Sequence, residues 1–204
     1  MVRFGNFPQK NCCRSESNRD AHTFSAERES ADFLGTMLPL FLAAFLVSSV
    51  AAADCTYSGG DVSARWQVSG DKLTVEFINK KIGNNQWTGI GFGPNMENLE
   101  VVLVKIEGSK PVLVTGHTSG YDAPTLDKSA NVSPQLMNYN SNQLTFRFTR
   151  PLGANGARNH KLDECQTWNF VKEGGLEGGA IGVHTSKPVP VKVCPKECKK
   201  SIIH

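Results

Sequence analysis

The sequence predicts an all-β domain, an antiparallel sandwich or barrel. Three observations carry this: apolar residues alternate with polar ones at a period of two, turn residues recur at short intervals, and no long amphipathic helical pattern is present. In the first clear strand Trp66 and Val68 alternate with Arg65 and Gln67. After Ser69-Gly70-Asp71, a second alternates Leu73, Val75 and Phe77 with Lys72, Thr74 and Glu76. Such strands have one buried and one wet face, as antiparallel sheets do. The third runs through Gly89-Ile90-Gly91-Phe92-Gly93, with the three glycines on one face and Ile90 and Phe92 on the other. A face without side chains suits the close approach of a planar ligand or of aromatic groups from another strand. Val101 to Val104 is apolar on both faces, which fits a central strand. Leu144, Phe146 and Phe148 alternate with Thr145, Arg147 and Thr149, and further strands are expected over 111–115, 136–139, 166–171 and 179–184. Glu107-Gly108-Ser109, Asn140-Ser141-Asn142 and Gly174-Gly175 supply turns between them.

The apolar run Met37 to Val47, followed by the small residues 48–53 and then Asp54, has the layout of a signal peptide over 37–53. A membrane anchor is the competing reading, since roughly 20 apolar residues can span a bilayer. Pro39 and the closing alanines favour cleavage, which leaves no membrane span. Residues 1–36 are polar and without period, so they are expected to be disordered or not translated. The remaining 54–204, about 150 residues, suffice for a single domain with a short Cys- and Lys-rich tail. Secretion turns Cys55, Cys165, Cys194 and Cys198 into an even set, consistent with two disulfides whose pairing stays open. Asn131-Val132-Ser133 is a glycosylation acceptor. The net charge of +3 is small and no basic stripe carries interleaved aromatics, so nucleic acid is excluded as a partner. No G-x-S-x-G elbow or P-loop occurs, and the glycines of 89–93 lie in a strand with the wrong spacing for a dinucleotide fold. An enzyme is not expected.

Met96 lies in the turn after the glycine strand, and His184 closes a late strand on a face shared with Gly182 and Ala180, opposite Ile181 and Val183. A methionine in a turn needs something to pack on its sulfur, either a neighbouring strand or an iron. The segment Trp87-Thr88-Gly89-Ile90-Gly91-Phe92-Gly93, then Met96, then an acidic Glu100 before Val101 to Val104, resembles the central motif of the DOMON domain. Asp127, the strand 144–149 with Arg150-Pro151-Leu152, Trp168 after Asp163, and His184 extend the resemblance over most of 54–204. It implies an immunoglobulin-like β-sandwich. It also implies b-type haem held by Met96 and His184, against a site formed by Trp87, Gly91 and Gly93. Leu99 and Glu100 stand where the family more often has small residues and an Asp. His117 is an alternative ligand, and His160 is expected in an exposed polar loop. With both axial positions filled, the implied function is one-electron transfer outside the cell, with a redox protein or a small reductant such as ascorbate as partner. The alternative is a haem-free module that binds carbohydrate or protein.

Overall fold

The expected alternation is written into the burial of each strand. In the computed structural model, which describes residues 55–154 and 160–198, Leu73, Val75 and Phe77 are fully buried while Lys72 is exposed. Residues 1–36, the signal segment 37–53 and the last tail lysines lie outside the described residues. Among the described residues twelve strands follow in order: β1 (Thr56–Gly59), β2 (Val62–Ser69), β3 (Lys72–Asn79), β4 (Gln86–Phe92), β5 (Glu100–Glu107), β6 (Lys110–His117), β7 (Thr125–Leu126), β8 (Ser133–Asn140), β9 (Gln143–Pro151), β10 (Gln166–Glu177), β11 (Ala180–His184) and β12 (Val189–Val193). A short 3-10 turn, Pro195–Glu197, ends the described chain. Among the described residues no helix is long and apolar enough to cross a membrane.

Every pairing is antiparallel. One sheet has the order β1-β2-β3-β9-β8; the other runs β11-β10-β4-β5-β6-β7, with β12 also paired to β10. The two pack face to face as a sandwich, and the expected fold class holds. Trp66, Val75, Phe77, Phe146 and Phe148 of the first sheet meet Ile90, Phe92, Val102, Val104, Trp168 and Phe170 of the second. The Trp168 ring lies 4.9 Å from that of Phe92 and 5.2 Å from that of Trp66. On the outer face of the first sheet, Glu76 accepts from Arg65 at 2.7 Å and Arg147 at 2.6 Å, its two cross-strand neighbours.

The second sheet also buries its outer face. Trp87, Leu99, Val101, Leu103, Val171 and Ile181 form a second apolar cluster, with Met96 packed against it. This explains why 101–104 is apolar on both sides: Val102 and Val104 face the sandwich, Val101 and Leu103 face outward.

Antiparallel pairing of Gln166 with Val193 sets Cys165 opposite Cys194, and these two are joined by a disulfide. It is the one bridge among the described residues, where two were expected. The Cys198 sulfur accepts from the Trp66 indole, whose Nε1 lies 2.9 Å away. Cys55 is buried in the main core. Asn131 is half-buried just before β8, with its N–H on Thr115 Oγ1.

Gly174 and Gly175 do not form the turn expected of them. They lie inside β10, and the hairpin turns instead at Gly178 and Gly179, both with positive φ. Gly174 is glycine because the Trp87 indole lies on it: a Cβ there would come within 2.6 Å of Trp87 Cζ2.

Candidate functional site

A cleft of about 660 Å³ opens on the outer face of the second sheet. Its walls are mainly apolar: Trp87, Leu99, Val101, Leu103, Val171 and Ile181. Met96 enters from the turn between β4 and β5, and His184 from the end of β11; both line the cleft. Of the other residues expected there, Trp87 and Gly91 line it, whereas Gly93 and His117 do not. Gly93 instead serves the turn. Its φ is +130°, and a Cβ would come within 2.7 Å of Asn98 O.

The bare glycine floor expected from the sequence is partly covered. A Cβ on Gly91 would meet Leu99 Cδ1 at 3.0 Å, and one on Gly93 would meet Leu99 Cδ2 at 3.2 Å. The glycines thus make room for a leucine of the returning chain, and Leu99 in turn supplies part of the cleft wall. Gly89 is required for a separate reason: its φ of +156° brings it against the backbone of β5.

Two register shifts place His184. β10 shifts against β4 between Val171 and Gly174. The backbone groups freed there are satisfied from the core. Thr88 donates to Val171 O at 2.7 Å, and Asn79 Nδ2 donates to Lys172 O at 2.7 Å and to Thr88 Oγ1 at 3.0 Å. β11 then pairs Ile181 with Leu176 but His184 with Gly174, so it carries one extra residue. A bulge of this kind reverses the alternation beyond it. Cross-strand partners share a face, so Ile181, Leu176, Gly174 and His184 all lie on the outer face of the sheet, where Ile181 and His184 line the cleft. The expectation that Ile181 points away from His184 is therefore overturned. The hairpin is tied down from two sides: Trp87 Nε1 donates to Gly182 O at 3.1 Å, and Lys105 Nζ donates to Gly179 O at 2.9 Å.

The Met96 turn is held by residues that local sequence does not mark. Gly120 N–H donates to Met96 O at 3.1 Å. Thr118 and Leu99 exchange two bonds of 2.9 Å, one through the Thr118 hydroxyl. Asn169 Nδ2 donates to Gly93 O at 2.8 Å. Just behind the turn, Glu100 and Arg150 form an ion pair with side chains only 1% exposed. Burial pushes the Glu100 carboxyl up, against the opposing pull of the Arg150 guanidinium. His160, expected in solvent, is held here: its N–H donates to Glu100 Oε2 at 2.7 Å and its ring lies on Asn98 O.

Around the mouth stand Tyr121, Asp122, Glu177 and Lys187, with Tyr121 and Val183 largely exposed. Met96 and His184 give the cleft one thioether and one imidazole among mainly apolar walls, beside Tyr121, Asp122, Glu177 and Lys187, a set that would fit an iron porphyrin. It does not fit a bare ion, which needs more ligands close together. The described group of metal-capable side chains lies elsewhere, at Cys165, Cys194 and Glu197, and its two sulfurs are used in the disulfide.

The profile of the DOMON domain matches residues 58–174. A DOMON domain-containing protein of Caenorhabditis elegans is 33% identical over 163 residues, covering 77% of this chain and 95% of its own length. One from Caenorhabditis briggsae is 28% identical over 164 residues, covering 78% and 97%. Among solved structures, the cytochrome b domain of pyranose dehydrogenase from Coprinopsis cinerea is 12% identical, covering 68% of this chain and 80% of that one, with a TM-score of 0.49. With the family profile matched over more than half its length and a relative matched almost end to end, the chain belongs to the DOMON domain family.

Proposed function

We propose that the cleft holds b-type haem, that Met96 and His184 would be the residues that hold it, and that the protein is a one-electron carrier outside the cell. The observation that carries this reading is the presence of both side chains on the lining of one apolar cleft. Its volume of about 660 Å³ falls within the range of pockets for organic ligands, about 300–1,000 Å³. Haem, when bound, would supply a reversible ferric–ferrous couple, with a potential raised by a thioether ligand. Met96 and His184 would be the side chains that hold the iron, and the chemistry supplied there would be one-electron transfer. Trp87, Leu99, Val101, Leu103, Val171 and Ile181 would keep water from the ring faces. Among the described residues Lys187 is the one Lys or Arg on the lining, and it suits an acidic substituent at the mouth. The partner would be a redox protein or a small reductant such as ascorbate, and the module would not itself be an enzyme. The Cys165–Cys194 bridge supports an oxidising compartment and so a secreted protein. A carbohydrate site is less well supported, because the walls are mainly apolar.

Protein secreted from haem-supplied cells tests this reading. A Soret band with close to one haem per chain is expected. Colourless protein that leaves the spectrum of added haem unchanged would overturn it.

A further inference from the structure

The turn bearing Met96 is clasped from two sides. On one, the connection after β6 contributes Thr118 and Gly120, as described above. On the other stands His160. A carbonyl can only accept, so the His160 Nε2–H donates to Asn98 O, at 2.8 Å. The fit is close: a Cβ on Gly93 would lie 3.2 Å from His160 Nε2 and 2.7 Å from Asn98 O. The absence of a side chain at Gly93 leaves room for the imidazole to reach the turn.

His160 is itself fixed through its backbone. Its N–H donates to Glu100 Oε2 at 2.7 Å, and its carbonyl accepts from Arg150 Nη2 at 2.7 Å. Arg150 also donates to Gly153 O at 3.1 Å and Pro151 O at 2.9 Å, while its Nη1 pairs with Glu100 Oε1. A buried ion pair is by itself weak support for stability, since desolvation offsets most of the attraction. Here the pair has a second consequence. The Glu100 oxygen not used by Arg150 and one nitrogen of Arg150 both go to the backbone of one residue, and that residue's ring holds the Met96 turn. The chain of contacts runs from β9 and β5, one in each sheet, through His160 to Asn98, two residues from Met96.

We propose that His160 is a positioning residue for Met96: set by the buried Glu100–Arg150 pair, its imidazole latches the turn so that the thioether is presented to the cleft in one orientation. The importance of that orientation rests on the haem reading, but the latch does not. It is a property of the haem-free chain.

Two measurements on the whole secreted chain test it, comparing H160A with H160Q, whose amide can still donate to Asn98 O. The first uses haem-free protein. Amide hydrogen exchange in 95–99 should rise about tenfold in H160A, the scale of one lost hydrogen bond. It should return toward wild type in H160Q and stay unchanged in β2 and β3. Should H160A fail to fold, H160L, which fills the space without donating, replaces it. The second uses ferric protein loaded with haem. H160A should gain a high-spin fraction from loss of the thioether, and H160Q should remain low-spin. Unchanged exchange in H160A, an H160Q as loose as H160A, or a rise spread evenly over β2 and β3 would each overturn the latch. Faster exchange with an unchanged low-spin spectrum would overturn its link to Met96. If wild-type protein takes up no haem, the haem reading fails and the exchange measurement alone decides the latch.

Discussion

Replacing Gly174 with alanine should dislodge Trp87 and, with it, the strand that carries His184. The Trp87 indole occupies the space of a Cβ at Gly174, with Cζ2 at 2.6 Å and the pyrrole edge nearer still. Trp87 is 5% exposed and flanked by Ile181, Leu103 and Val171, so it has little room to withdraw. Overpacking of this sort costs about 1–3 kcal/mol. Displacing the ring also breaks the Trp87 Nε1 bond to Gly182 O, worth about 1 kcal/mol. Together these give about 2–4 kcal/mol, or a fall in Tm of about 4–16 °C for a domain of this size. The φ of Gly174 is not among the positive ones, so the cost comes from the contact with Trp87 and not from the backbone. The assay is thermal and urea unfolding of Gly174→Ala in wild-type and Trp87→Ala backgrounds. Coupling between the two sites should make the alanine at 174 nearly neutral once the indole is gone. A Gly174→Ala protein that melts within a degree of wild type, or the same loss in both backgrounds, would refute the reasoning.

Other outcomes follow from the ion pairs and the bridge. Arg150→Met strands the Glu100 carboxylate in the core and should cost about 3–5 kcal/mol in urea unfolding, against under 1 kcal/mol if the pair is dispensable. Burial alone would push the Glu76 carboxyl up, but bonds from Arg65 and Arg147 outweigh it and hold the carboxyl below its ordinary range. That stability is present above the unfolded carboxylate pKa of about 4.3 and is lost as pH falls through the lower folded value. Glu76→Gln should therefore cost about 1–2 kcal/mol at pH 7, allowing for screening of the half-exposed Arg65, and the gap to wild type should close below about pH 4. A gap that is constant from pH 7 to pH 3 would contradict this. Cys165→Ser opens a bridge with a sequence separation of 29 and should cost about 3–4 kcal/mol by urea unfolding of the secreted protein.

What the sequence revealed depended on whether a local pattern decided the structure. β3 and β9 show a strict alternation because one face is buried and the other is wet, and both lie where expected. β12 was hidden because Pro190 sits in its short run; at the sheet's edge a proline can be tolerated. β7 is only two residues long. Gly174 and Gly175 look like a turn in isolation, and only their partner across the sheet, Trp87, explains them as strand. Met96 and His184 are singled out in the sequence by the glycine strand and the family resemblance, and both line the cleft. The face of His184 was misassigned, since a bulge depends on two neighbouring strands and leaves no local mark. His160 was missed for a similar reason: its partners are Glu100, Arg150 and Asn98, distant in sequence, and nothing in its polar loop indicates that they meet.

The central claim is that Met96 and His184 act on one iron. The most direct test is the ferric and ferrous absorption spectrum, with haem affinity, of the wild-type, Met96→Ala and His184→Ala proteins. Wild type should be low-spin and six-coordinate in both oxidation states. Met96→Ala should keep haem but turn high-spin with a lowered potential, because the thioether favours the ferrous state. His184→Ala should lose most of its haem. If both variants bind haem with the affinity and spectrum of wild type, the two side chains are only packed against the cleft, and the account of the site is wrong.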